Sequence, residues 1–258
     1  MKKEINLEER KSLQLAMLKE IDAFCKKNGL RYSLAFGTLL GAIRHKGFIP
    51  WDDDLDIMMP VEDIIKFKAI FHSDKLKFCD VDTEKYYDLD FPRISHKRTY
   101  KLEGKKTESY GISIDLYVYL PLPEEEELFF NNLERFEAHK KKMKMWRGKI
   151  MRHLPVSTIP FFKSAVKKVR DYEFLERRIG SKGRYYIVAG PLSIKDKMIY
   201  DRDIFKNMTS ARFEDGEFPI ISEYDYFLTK RYGDYMQLPP VEKRVGRSDG
   251  FTIFYWKS

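Results

Sequence analysis

The chain has 258 residues, 43% hydrophobic and 34% charged, enough apolar side chain for one core alone or a core with a helical subdomain. Its two cysteines, Cys25 and Cys79, are too few for a disulfide framework or a zinc site, so a reducing cytoplasm is the expected compartment. The net charge of +8, from 48 basic and 40 acidic residues, favours an anionic partner: a nucleotide, a phosphorylated glycan, an anionic membrane or nucleic acid.

Met1-Lys2-Lys3 leads into charged residues, so no secretory signal is expected, and no apolar run reaches the roughly 20 residues of a membrane span. Residues 7–28 predict an amphipathic helix. Asn6 is its N-cap, Glu9 completes a capping box, and Gly29 is the stop; Leu13, Met17, Ile21 and Phe24 recur at helical spacing. Tyr32 to Phe36 is aromatic and apolar enough for a short strand. It runs into Gly37-Thr38, a tight turn opening a helix, where free N–H groups and positive dipole suit an anion. Arg44, His45 and Lys46 follow as candidate phosphate contacts. Arg44 offers a two-pronged contact that lysine cannot reproduce, and His45 is either a base or a packed ring.

Trp51-Asp52-Asp53-Asp54-Leu55-Asp56-Ile57 places four carboxylates within five residues. If a strand starts at Asp54 and runs to Met58, Asp54 and Asp56 share one face while Leu55 and Ile57 point to the core. Two carboxylates about 7 Å apart on one face are either solvated in an acidic turn or held by a hard divalent ion.

Pro60 opens a helix to about Phe71, and Leu76 to Val81 reads as a strand. Gly111 to Tyr119 predicts another, with Ile112, Ile114, Leu116 and Val118 alternating against Ser113, Asp115, Tyr117 and Tyr119, and Pro121 and Pro123 ending it. Asp115 is a lone carboxylate on an apolar strand: either an ion pair with a nearby Arg or Lys, or a third acid beside Asp54 and Asp56. Two long helices are expected at residues 124–148 and 161–179. Their basic stretches, Lys140 to Arg147 and Phe161 to Arg170, mix positive charge with large apolar groups. They suit an anionic bilayer surface, or are ordinary helices with solvated lysines.

The order strand, Gly37-Thr38, short helix, Asp54-x-Asp56 is that of the nucleotidyltransferase (polymerase-beta-like) superfamily. The run from Phe36 to Ile57, with Gly37-Thr38-Leu39-Leu40-Gly41-Ala42-Ile43-Arg44 and Trp51-Asp52-Asp53-Asp54, resembles the signature of the LicD family, related to the fukutin-type phosphosugar transferases. Tyr232-Gly233-Asp234-Tyr235-Met236-Gln237-Leu238-Pro239-Pro240 resembles that family's C-terminal block. The resemblance implies an α/β (α+β) nucleotidyltransferase-like mixed sheet. The expected units are a catalytic core at 1–123, a helical insertion at 124–200, and at 201–258 the rest of the core.

It further implies Mg²⁺, or Mn²⁺, held by Asp54, Asp56 and Asp115, these three also being the catalytic acids. Phosphocholine would pass from CDP-choline to a sugar hydroxyl of a teichoic acid, lipopolysaccharide or capsule precursor, with CMP leaving. The acceptor is lipid-linked in this reading, and the protein works on the cytoplasmic face. Gly37, Thr38, Arg44, His45, Lys46, Trp51, Arg93, Arg98 and Tyr117 are the expected substrate contacts, with Trp51, Tyr117 and Tyr119 as candidate aromatic walls for choline. The chain departs from the family pattern at Tyr117-Val118-Tyr119-Leu120, where many relatives carry a Phe-Pro-Leu-Asp-Gly type of run. The alternatives are another CDP-linked donor such as a CDP-alditol, a template-free nucleotidyltransferase releasing pyrophosphate, and a non-catalytic membrane-surface module.

Overall fold

The computed structural model describes residues 3–80, 82–84, 91–103, 106–107, 110–121, 138, 184–188, 198–201, 203–246 and 252–257. The two helices expected at 124–148 and 161–179, with their basic stretches, lie outside these residues.

The first long helix, α1 (Leu7–Asn28), starts and stops where its chemistry dictates. The Asn6 side chain accepts the Glu9 N–H at 2.8 Å, and Gly29 takes the left-handed conformation at φ 63°. The Glu9 carboxylate, expected to complete a capping box with Asn6, accepts instead from the Trp256 indole N–H at 3.0 Å, tying the helix to the far end of the chain. Met17, Leu18, Ile21 and Cys25 are buried on its core face.

The expected strand at Tyr32 to Phe36 shrinks to β2 (Ser33–Leu34), because α2 (Phe36–Arg44) already begins at Phe36. The acidic segment likewise enters β3 (Asp56–Pro60) two residues later than its alternation predicts. The Asp56 N–H donates to the Thr38 hydroxyl at 2.8 Å, so the ladder toward β2 cannot continue upstream. Pro60 then caps α3 (Val61–Ile70), which leads into β4 (Leu76–Cys79). The strand expected from Gly111 is β8 (Ser113–Pro121). Both of its faces are covered from Ile114 to Leu120, so its alternating pattern does not mark a solvated side.

β8 is the spine of the central sheet. It pairs in parallel with β3, which pairs antiparallel with β2. On its other edge lie β5 (Arg93–His96), carrying β4 beyond it, and β9 (Tyr185–Val188), followed outward by β10 (Ile199–Tyr200). This mixture of parallel and antiparallel pairs, packed with helices, is the α/β fold expected from the sequence. α1 and α3 pack on the sheet and meet through Phe24, whose ring lies 5.4 Å from Phe67 and 5.0 Å from Phe71.

A hairpin of β11 (Met208–Phe213) and β12 (Gly216–Ile221) leans on β2, with the Ile221 N–H donating to the Ser33 hydroxyl at 3.1 Å. It is followed by α4 (Tyr224–Tyr232), whose Phe227 meets Phe36 of α2 at 5.6 Å. A second sheet joins the two ends of the chain: β13 (Thr252–Trp256) lies between β1 (Glu4–Ile5) and β6 (Thr99–Glu103), with β7 (Lys106–Thr107) outside β6.

Candidate active site

The start of α2 is stapled to the start of β3. The Ala35 N–H donates to the Asp56 carbonyl at 2.9 Å, and Thr38 accepts the Asp56 N–H in return. Thr38 is buried, so its hydroxyl serves the frame of the site. Phe36, between these contacts, is held at φ 43°, a costly conformation for a bulky residue and one that accumulates at functional sites. Gly37 is there for closeness: a Cβ at this position would stand 2.6 Å from Asp52 Oδ2 and 3.9 Å from Asp56 Oδ2.

The parallel pairing of β3 and β8 sets Asp56 directly opposite Asp115, with the Asp115 N–H donating to the Leu55 carbonyl at 2.9 Å. Both carboxylates are buried. Two such charges on neighbouring strands repel, and the opposite edge of β8 supplies the counter-charge. Arg93, paired in register with Asp115, grips it with Nε–Oδ1 at 2.5 Å and Nη2–Oδ2 at 3.1 Å. Asp115 is thus in the ion pair that its place on an apolar strand suggested, and the same ladder stands it beside Asp56.

Asp54 sits elsewhere than the alternation argument puts it. It lies before β3, in a loop where Asp52, Asp53 and Asp54 each bring an oxygen within 4.8 Å of the others. α1 anchors this loop. Arg10 Nη1 reaches Asp53 Oδ2 at 3.0 Å, and Lys11 donates to the Ile49 and Pro50 carbonyls at 3.4 and 3.3 Å. Burial holds the Lys11 ammonium below its usual pKa, while Asp52, Asp53 and Glu214 pull the other way. Asp52, Asp53 and Asp54, whose oxygens lie together, offer hard oxygen ligands of the kind a divalent cation takes.

Of the other residues singled out in the sequence, Arg44 and His45 gather beside Trp51 at the start of the loop, and the rest lie elsewhere. Arg44, at the end of α2, donates from Nη1 to the Tyr235 carbonyl at 2.5 Å and to the Gln237 carbonyl at 3.3 Å. His45 accepts from Arg44 Nε at 3.0 Å and turns its ring edge to Trp51 at 6.0 Å. Burial first, and Arg44 second, keep its pKa below the ordinary histidine value. Lys46 is exposed at φ 61° and contributes its carbonyl to the Glu214 N–H. Arg98 is exposed in the turn after β5, at the other end of that strand from Arg93. Tyr117 is buried between Phe36, 4.7 Å away, and Phe91, 4.6 Å away, which is a packing position. Tyr119 is also buried, stacked on Tyr185 at 4.9 Å, with its hydroxyl accepting the Ile204 N–H.

The local pattern does not reveal Asp52 and Asp53 as partners of Asp54, because side-chain alternation groups only residues two apart. Nor does it reveal Arg10, which reads as one more polar residue on the first turn of a helix. The proximity of Arg10 to the acidic motif depends on how α1 crosses it.

Residues 29–179 match the family model described as LicD/FKTN/FKRP, nucleotidyltransferase domain. Over 252 residues the chain is 27% identical to the lipopolysaccharide cholinephosphotransferase LicD of Haemophilus influenzae, covering 93% of this chain and 95% of that protein. It is 32% identical over 118 residues to an uncharacterized protein of Rickettsia typhi, covering 45% of this chain and 32% of that one. Human ribitol 5-phosphate transferase FKRP is 31% identical over 96 residues, covering 36% of this chain and 17% of that protein. A stapled Gly-Thr helix start beside paired buried aspartates, and a family match over more than half the sequence, lead to one conclusion: the chain belongs to the LicD/FKTN/FKRP nucleotidyltransferase-domain family.

Proposed function

We propose that this protein is a phosphotransferase that moves phosphocholine from CDP-choline to a sugar hydroxyl of a cell-surface glycan precursor of the lipopolysaccharide type, releasing CMP. The observation that carries the reading is the similarity to a lipopolysaccharide cholinephosphotransferase along nearly the whole of both chains. Mg²⁺, or Mn²⁺ in its place, would be held by Asp54, Asp56 and Asp115 with Asp52 as a further ligand, and would neutralise charge on the transferring phosphoryl group. Asp56 and Asp115 are fixed by the β-ladder and Arg93, so they supply a rigid acidic floor. Asp54 is half-buried where Asp56 is buried, and is the carboxylate best placed to accept a proton from an incoming hydroxyl. In the transfer the acceptor oxygen bonds to the phosphorus that bears choline. The bond from that phosphorus to the CMP oxygen breaks, its electron pair leaves with CMP, and the hydroxyl proton goes to the carboxylate. The cytoplasmic face of the membrane, the teichoic acid and capsule acceptors, and contact with anionic lipid belong to the same reading.

A CDP-alditol donor is the second reading, favoured by the match to a ribitol 5-phosphate transferase. Incubation with CDP-choline, CDP-ribitol and CTP in the presence of Mg²⁺ separates the cases. CMP released from CDP-choline, stimulated by a glycan acceptor and abolished by Asp56→Asn, is the expected result. CMP from CDP-ribitol alone would move the protein to the second reading, and pyrophosphate from CTP would overturn both.

A further inference from the structure

The C-terminal block returns to the acidic loop and brings a cation that the local sequence pattern does not single out. Arg244, just after the 3₁₀ turn Val241–Lys243, is half-buried although its neighbours on either side are exposed. Its Nε donates to the Pro239 carbonyl at 2.9 Å, and its guanidinium lies over the Trp51 ring, 5.5 Å from the centroid. Two residues further, Gly246 runs so close to the acidic loop that a Cβ there would be 2.9 Å from the Trp51 carbonyl oxygen.

Arg44 reaches the same place from the other side. It is anchored on the Tyr235 and Gln237 carbonyls of the same block and is linked through His45 to Trp51. The two guanidinium groups are close enough that Arg244, after burial, is what holds the Arg44 pKa below its ordinary value. Among the described residues neither has a carboxylate in an ion pair. Arg44 Nη2 and both terminal nitrogens of Arg244 make no hydrogen bond to protein there.

Two half-buried like charges, each fixed by backbone carbonyls and, among the described residues, lacking a counter-ion, are costly as they stand. An anion with several oxygens lying between them relieves that cost, and planar guanidinium forks match phosphate oxygens. We propose that Arg244, delivered by the C-terminal block, joins Arg44 in a two-arginine clamp for the diphosphate of the nucleotide-linked donor, beside Trp51 at the edge of the acidic loop. The clamp rests on the CDP-linked donor reading above. It also gives Trp51 a different task from the one its aromatic ring suggested: one face is taken up by Arg244 and is closed to a choline ammonium.

Calorimetric titration of the full-length protein with CDP-choline, cytidine and inorganic pyrophosphate tests the clamp. Arg244→Gln is expected to weaken CDP-choline and pyrophosphate binding by about 10- to 100-fold, with Arg244→Lys in between, because charge-assisted contacts are lost wholly or in part. Cytidine, which has no phosphate, is expected to bind both variants as it binds the parent, a pattern that a merely disordered loop would not produce. Undiminished CDP-choline binding by Arg244→Gln would overturn the clamp and leave the donor reading standing. Absence of CDP-choline and CDP-ribitol binding by the parent protein would overturn both. Loss of binding to anionic vesicles in Arg244→Gln, with donor affinity kept, would reassign the arginine to the bilayer.

Discussion

The site turns on single atoms where charges are packed closely. Gly37 leaves room for the Asp52 carboxylate, whose Oδ2 would stand 2.6 Å from an added methyl. That oxygen ends a movable side chain, so Gly37→Ala is expected to displace Asp52 while leaving the fold within about 1 kcal/mol of its original stability, alanine also being the better helix former. Mn²⁺ titration is expected to show weakened binding, and unchanged affinity would remove Asp52 from the ligand set. Asp54 and Asp115 differ in the same sense. Asp115→Asn removes one half of an ion pair whose side chains are only 18% and 10% exposed. Breaking such a pair costs about 3–5 kcal/mol. Asp54 is half-buried in a loop, so Asp54→Asn is expected to abolish transfer with little change in the unfolding midpoint. Equal midpoints for the two variants would mean that Arg93 does not depend on Asp115.

Among the elements, α1 links stability to the acidic loop. Its N-terminal end carries both the Asn6 cap and the two side chains, Arg10 and Lys11, that hold the loop. Asn6→Ala is expected to cost about 1 kcal/mol, and to raise the Mg²⁺ concentration needed for half-maximal activity, because fraying starts where Arg10 is rooted. Gly29→Ala at the other end forces a side chain onto φ 63° at a cost of roughly 1–2 kcal/mol, yet should leave the Mg²⁺ requirement as it was. A shift in both variants would show that the requirement merely follows global stability. The helix was legible from its caps and spacing. β3 was legible as a strand but not in its first residue, since the hydroxyl that takes the Asp56 N–H comes from Thr38, 18 positions away.

At the scale of the whole molecule, pH dependence follows from a histidine at the junction of the two sheets. His96 ends β5, is buried, and turns its ring edge to Trp256 of β13 at 5.5 Å. Burial lowers its pKa first; Arg98, Lys257 and Lys75 add to that, and Glu20 opposes them. The folded state therefore releases the His96 proton more readily than the unfolded chain does. Its contribution is complete above the unfolded value of about 6.5 and is lost as pH falls through that value toward the lower folded one. Thermal unfolding between about pH 7.5 and 5.5 is expected to show a falling midpoint, with a shallower slope in His96→Asn. An identical slope in the variant would assign the effect to other groups, His45 first among them, since its pKa is also lowered by burial.

By itself the sequence determined α1, α2 and α3, the approximate places of β2, β3, β4 and β8, and the run of acids from Asp52 to Asp56, while the β11–β12 hairpin, α4 and the second sheet went unread. The former are written in local spacing, caps and prolines, which act within a few residues. The register that sets Asp56 opposite Asp115, with Arg93 on the far side, required the order of strands in the sheet. The crossing of Arg10 over the acidic loop and the return of Arg244 to Trp51 required the tertiary structure as well. Each of these contacts joins segments 22 to 193 residues apart in the chain. At such separations, which cations meet which acids is decided by packing of whole faces, and no residue periodicity records it.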